Sequence, residues 1–86
     1  MKYIIFEQIK TGLKMPVIFP DHITHSSIAI EGTQPVSAGF CQLEVKNIIG
    51  ILPQISVSLN LGPHPGDCEL LISLLRNEGM YAFMSF

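Results

Sequence analysis

Lys2-Tyr3-Ile4-Ile5-Phe6-Glu7-Gln8 is the stretch from which the fold is read. Tyr3, Ile4, Ile5 and Phe6 are β-branched or aromatic, the composition of a strand. Thr11-Gly12 marks a loop after it. Residues 15–19 then read as a second short strand closed by Pro20, so the two form a hairpin with a long connection. Pro20-Asp21 is a helix-start signal with Asp21 as N-cap. It predicts a helix from His22 to Ile30 or Glu31, stopped by Gly32. Ile23, Ser27 and Ile30 share one face of that helix, and a strand through residues 26–30 is the alternative reading.

Thr33-Gln34-Pro35 reads as a turn, and residues 36–45 as a long strand. Val36, Ala38 and Phe40 alternate with Ser37, Gly39 and Cys41 until the parity switches at Leu43. A β-bulge produces such a slip, and Gly39 within the strand fits a bulge or a close backbone approach. After a turn at Lys46-Asn47 the chain returns as a strand. Its cleanest part is residues 55–61, with Ile55, Val57, Leu59 and Leu61 inward and Ser56, Ser58 and Asn60 outward. Pro53 cannot donate to a ladder, which makes residues 51–54 an edge or a bulge. Residues 62–66 form a Pro/Gly loop, and Asp67 caps a helix predicted over residues 68–78. Leu70, Leu71, Leu74 and Leu75 make its apolar stripe, and Gly79 stops it. The apolar end, residues 80–86, reads as a last strand or an arm. Its Tyr81, Phe83 and Phe86 are the candidate dimer contacts.

The expected fold is thus one α+β domain over residues 1–86. A mostly antiparallel sheet carries two helices packed on one face, in the order β-β-α-β-β-α-(β). The other face is expected to be wet or to lie on a partner.

The coat of charge is thin. Of 86 residues, 14% are charged and 48% hydrophobic, against about 25% charged in an ordinary domain. Small domains have the most surface per residue, so apolar surface is left for a partner, and a homo-oligomer is expected. Net charge is −2, and Lys2, Lys10, Lys14, Lys46 and Arg76 stand apart. No cluster exists to neutralise a row of phosphates, which argues against nucleic acid. The four-residue run Tyr3 to Phe6 is too short for a signal-peptide core. Residues 48–61 are broken by polar residues well short of about 18 consecutive apolar ones. The expectation is no membrane and a cytoplasmic location, with Cys41 and Cys68 as reduced thiols.

Chemistry-bearing residues are few. Asp21, His22 and His25 are the weak catalytic candidates. On a helix the two histidines project from one side, and Asp21 could orient a ring nitrogen. Joined by His64 or Asp67, they would suit a divalent metal or an acid–base pair. The plain alternative is an ordinary exposed first turn, since H-x-x-H lacks the glutamate and spacing of a zincin helix. The Pro63-His64-Pro65-Gly66-Asp67 loop leads into a helix N-terminus, where Asp67 itself competes for the N–H groups an anion would use. Cys41, Phe6 and Phe40 read as core, and no serine lies in a nucleophile elbow. No cofactor or metal is implied.

Met15-Pro-Val-Ile-Phe-Pro20-Asp21-His22, Gln34-Pro-Val-Ser-Ala-Gly-Phe40 and Ser56-Val-Ser-Leu-Asn-Leu61, leading to Asp67-Cys-Glu-Leu-Leu71, resemble short proteins of tailed-phage and prophage genomes. The likeness rests on the PVxFP, PVSAGF and SVSL segments and covers residues 1–76. The tail after Gly79 departs from it. The resemblance implies a cytoplasmic accessory protein made in an infected bacterium. It brings no established activity, so no catalytic residue is carried over. The combined expectation is a non-enzymatic protein that binds a host or phage protein, or itself. The alternative is a metal-binding protein or small enzyme using His22 and His25.

Overall fold

The computed structural model describes residues 1–44 and 47–76. Four strands, β1 (Lys2–Gln8), β2 (Lys14–Phe19), β3 (Thr33–Glu44) and β4 (Asn47–Ile51), form one antiparallel sheet in the order β2-β1-β3-β4. Among the described residues a single α-helix, α1 (Asp67–Arg76), follows. No helix among the described residues is long and apolar enough to cross a membrane.

The apolar run of β1 decides the architecture. A strand that is apolar at every position has to be covered on both faces. Tyr3 and Ile5 point to a first face with Ile18, Cys41 and Leu71. Ile4 and Phe6 point to a second with Val17, Phe19, Ile28 and Ala38. The helix covers the first face. Its Leu71 is fully buried, and Cys68, Leu70 and Ile72 pack beside it. Asp67 and Glu69 stand in the first turn, at the positive end of the helix dipole.

The second face, expected to be wet or to lie on a partner, is covered by the chain itself, and without a helix. No helix forms over residues 22–30. The segment makes a turn closed by Ile23 N–H to the Pro20 carbonyl, then three residues of 3₁₀-helix, His25–Ser27. Residues 28–30 take no regular form, and a second turn follows at Gly32, whose φ is +80°. The reason is tertiary. Ile23, Ile28 and Ile30 all reach the second face, and no single side of a helix would present them together. Asp21 lies 3.0 Å from the Met1 amino group instead of capping. The order is therefore β-β-3₁₀-β-β-α, with one α-helix on one face and irregular chain on the other.

Residues 55–61 are the second correction. They make a tight turn, not a strand. Ser56 and Leu61 bridge each other through N–H to carbonyl bonds of 2.7 and 3.2 Å, and Asn60 takes a left-handed φ of 55°. The parity is inverted at its start: Ser56 is 1% exposed and Val57 84%. The return strand is β4 alone, at the sheet edge, ending before Pro53. Thr33-Gln34-Pro35, expected as a turn, opens β3. Pro35 is tolerated there because the ladder with β1 slips beside it: Ile5 pairs with Ser37 and Phe6 with Pro35, leaving Val36 as the extra residue. A register shift lies between Gln42 and Leu43, but its extra residue is Ile49 of β4 and not a residue of β3. The turn at Lys46 lies partly outside the described residues. The helix stop at Gly79 and the contacts assigned to Tyr81, Phe83 and Phe86 lie wholly outside them.

Gly39 is where β3 passes closest to its neighbours. A Cβ there would sit 3.3 Å from Tyr3 Cε1 and 3.4 Å from the Gln54 carbonyl oxygen, whereas one at Gly50 would meet nothing. The Tyr3 ring is fully buried and has no room to give. Gly39→Ala is expected to cost about 1–3 kcal/mol by urea unfolding, and Gly50→Ala less than about 0.5. Equal costs would contradict the close approach.

Candidate functional site

The polar centre of the molecule is a buried carboxylate. Asp67, on the first turn of α1, accepts hydrogen bonds from the Tyr3 hydroxyl at 2.7 Å, the Ser37 hydroxyl at 3.0 Å and the His64 backbone N–H at 3.0 Å. The side chains of Asp67, Tyr3 and Ser37 are buried. Its place at the helix start is the one read from the sequence, but the carboxylate turns to the sheet. Burial first, and then the Asp67 carboxylate, push the Tyr3 phenol well above its ordinary range. The hydroxyl stays protonated and donates. With the carboxylate satisfied by two hydroxyls and a backbone N–H of the chain itself, its chemistry is that of a structural tie. A buried tyrosine hydroxyl must find a partner, and an acid directly before an apolar helix is a candidate for it. Those two signals make each residue a candidate, but only the fold pairs them.

The histidines are dispersed. His22 is exposed. His25, three residues on, is 3% exposed. Its Nε2–H donates to the Gly39 carbonyl at 2.9 Å. Its ring stands edge-on to Phe19 and Phe40, with centroids 5.4 and 5.3 Å away. Burial pushes its pKa below the ordinary 6.5, and the Lys2 cation pushes the same way. His64 is exposed on the turn before α1, on the opposite face of the sheet from His25. Asp21 faces the Met1 amine. Among the described residues, no group of three or more His, Cys, Asp or Glu is placed to hold a metal ion.

Among the described residues, the large exposed apolar side chains fall in two places. Ile9 and Leu13 stand on the β1–β2 connection. There Gln8, Ile9, Lys10, Thr11, Glu31 and Gly32 line an open groove of about 480 Å³. Ile55, 54% exposed, and Val57 stand on the 55–61 turn. That turn is braced by its own bridge and by Ser26 N–H, which donates to Ser58 Oγ at 3.3 Å. Ser56 Oγ is buried beside Val57 with no hydrogen-bond partner among the described residues. The regular alternation of residues 55–61 concealed this inversion from sequence reading.

The comparisons place no relative beside the chain: no protein-family model matches it, and neither a curated protein nor a solved structure does.

Cys41 is packed in the first-face core, and burial pushes its thiol up to about 11. The thiolate is the reactive form. At pH 8, modification of Cys41 by an aromatic disulfide reagent is therefore expected to track global unfolding, read by mass spectrometry of the labelled peptides. Rapid labelling of Cys41 in the folded protein would contradict the packing.

Proposed function

We propose that the chain is a non-enzymatic protein-binding domain, an accessory protein of a phage or prophage, that associates through apolar contact with its own kind or with another protein. The observation that carries the reading is the inverted turn. Ser56 is buried without a partner among the described residues, while its neighbour Val57 is 84% exposed. Burying a valine stabilises a protein by about 1.5–3 kcal/mol, and an unpartnered buried hydroxyl costs about 1–3 kcal/mol. A turn selected for stability alone would reverse the two. Holding Val57 and Ile55 outward on a braced backbone suits an anchor that fills a partner's pocket, because little ordering entropy is lost on docking.

The charge distribution supports the same reading. Residues 47–66 contain no Asp, Glu, Lys or Arg, so the turn offers shape and apolar area without electrostatic steering. Ile9 and Leu13 add a second exposed apolar site at the hairpin tip.

The test is mass by light scattering, from micromolar to high micromolar concentration, for the wild type and for Val57→Lys and Ile55→Lys. The wild type is expected to show mass above the monomer that grows with concentration. Each variant is expected to lose it while its unfolding free energy changes by less than about 0.5 kcal/mol, since both sites are exposed. A wild type that stays monomeric throughout leaves self-association without support. An association unaffected by both variants moves the contact away from this turn.

A further inference from the structure

We propose that His25 is a protonation-controlled latch, which holds residues 23–30 over the second face of the sheet and releases them in mild acid. The neutral ring is satisfied: Nε2–H donates to the Gly39 carbonyl at 2.9 Å, and the rest of the ring lies edge-on against Phe19 and Phe40. Protonation would add a charge to a side chain that is 3% exposed. A buried charge persists only where a counter-charge or further hydrogen bonds receive it.

No counter-charge faces this ring, and the backbone acceptors beside it, on Gly39 and Tyr3, are outweighed by burial. From β1 the neighbouring charge is Lys2, a cation. Its Nζ lies 5.8 Å from the Phe40 ring centre and donates to the Ile23 carbonyl at 2.8 Å. From β2 the ring meets Phe19, with Lys14 at the far end of that strand, and from β3 it meets Gly39 and Phe40. Cys41 belongs to the other face. The 55–61 turn, which meets the segment through Ser58, carries no ionisable side chain. On the segment itself, His22 is exposed and Asp21 is paired with the Met1 amine. The Asp67 carboxylate is across the sheet, committed to Tyr3, Ser37 and His64.

The sign follows from linkage. Held in place, the ring titrates below the 6.5 it has when released, because burial outweighs the Gly39 and Tyr3 backbone hydrogen bonds that favour the charged ring, and Lys2 adds to the lowering. The released segment therefore binds more protons in the window just below 6.5. The latch is at full strength above that pH and weakens as pH falls through the window to the ring's lower, latched value.

Release is local because of how the segment is tied. Its own backbone bonds are short-range turns: Ile23 to Pro20, Ser27 to Thr24, Ile28 to His25. It contributes no rung to the sheet. Its long-range ties among the described hydrogen bonds are His25 to Gly39, Lys2 to Ile23, and Ser26 to Ser58. Such a unit opens below the global unfolding free energy. Opening would uncover Ile4, Phe6, Val17, Phe19 and Ala38, the second-face core. The latch stands whether or not Val57 is an anchor.

Hydrogen exchange by mass spectrometry at pH 7.5 and pH 5.0, corrected for intrinsic rates, tests it. Protection is expected to be lost over residues 23–31 in acid and kept over residues 3–6. In His25→Gln, whose amide still donates to Gly39 but does not titrate in this range, protection over residues 23–31 is expected to be the same at both pH values. Should that variant fail to fold, NMR titration of wild-type His25 decides: the ring is expected to titrate below 6.5, in step with the loss of protection. Unchanged protection in acid, the same acid response in a folded His25→Gln, or an ordinary His25 midpoint would each overturn the latch.

Discussion

A carboxylate taken out of water has to be met by donors, and Asp67 is met from three directions. Tyr3 brings β1, Ser37 brings β3, and the His64 N–H brings the turn that precedes α1. The apolar face of α1 alone would let the helix slide on the sheet, since hydrophobic burial is non-directional. The carboxylate removes that freedom by requiring two hydroxyls at fixed distances. It also explains Gly39. The Tyr3 ring that reaches Asp67 passes close to β3 there, and a Cβ at 3.3 Å from Tyr3 Cε1 would press on it.

The two faces of the sheet are held by different physics. The first has a helix, a polar tie and a closely packed core. The second has irregular chain, closed by Ile23, Ile28, Ile30, Leu59 and Leu61 and pinned at His25. Irregular segments of this kind occupy the low end of a protein's local stability. Both features read as function, the exposed Val57 turn and the His25 pin, belong to this more weakly built side.

Legibility in the sequence followed how local each cause was. The hairpin, the helix start at Asp67 and the close approach at Gly39 are set by residues within a few positions, and all three are present. The helix over residues 22–30 failed because its capping signal was overridden by tertiary demand: three isoleucines needed one sheet face, and His25 needed the Gly39 carbonyl. Residues 55–61 failed for the converse reason. Their period-2 pattern is real, but a left-handed Asn60 folds it into a turn and inverts Ser56 and Val57. The Tyr3–Ser37–Asp67 group joins residues far apart in the chain, beyond the reach of any local pattern. The dispersal of His22, His25 and His64 likewise followed from the loss of the helix that would have aligned the first two.

The claim on which the rest depends is that Asp67 and Tyr3 act as one unit joining α1 to the sheet. A double-mutant cycle by urea unfolding, with Tyr3→Phe, Asp67→Asn and the pair together, measures it most directly. The account predicts that the double variant is less destabilised than the two single variants combined, with a coupling of about 1–3 kcal/mol. Additivity to within about 0.5 kcal/mol would contradict it, and would leave the helix held by apolar packing alone.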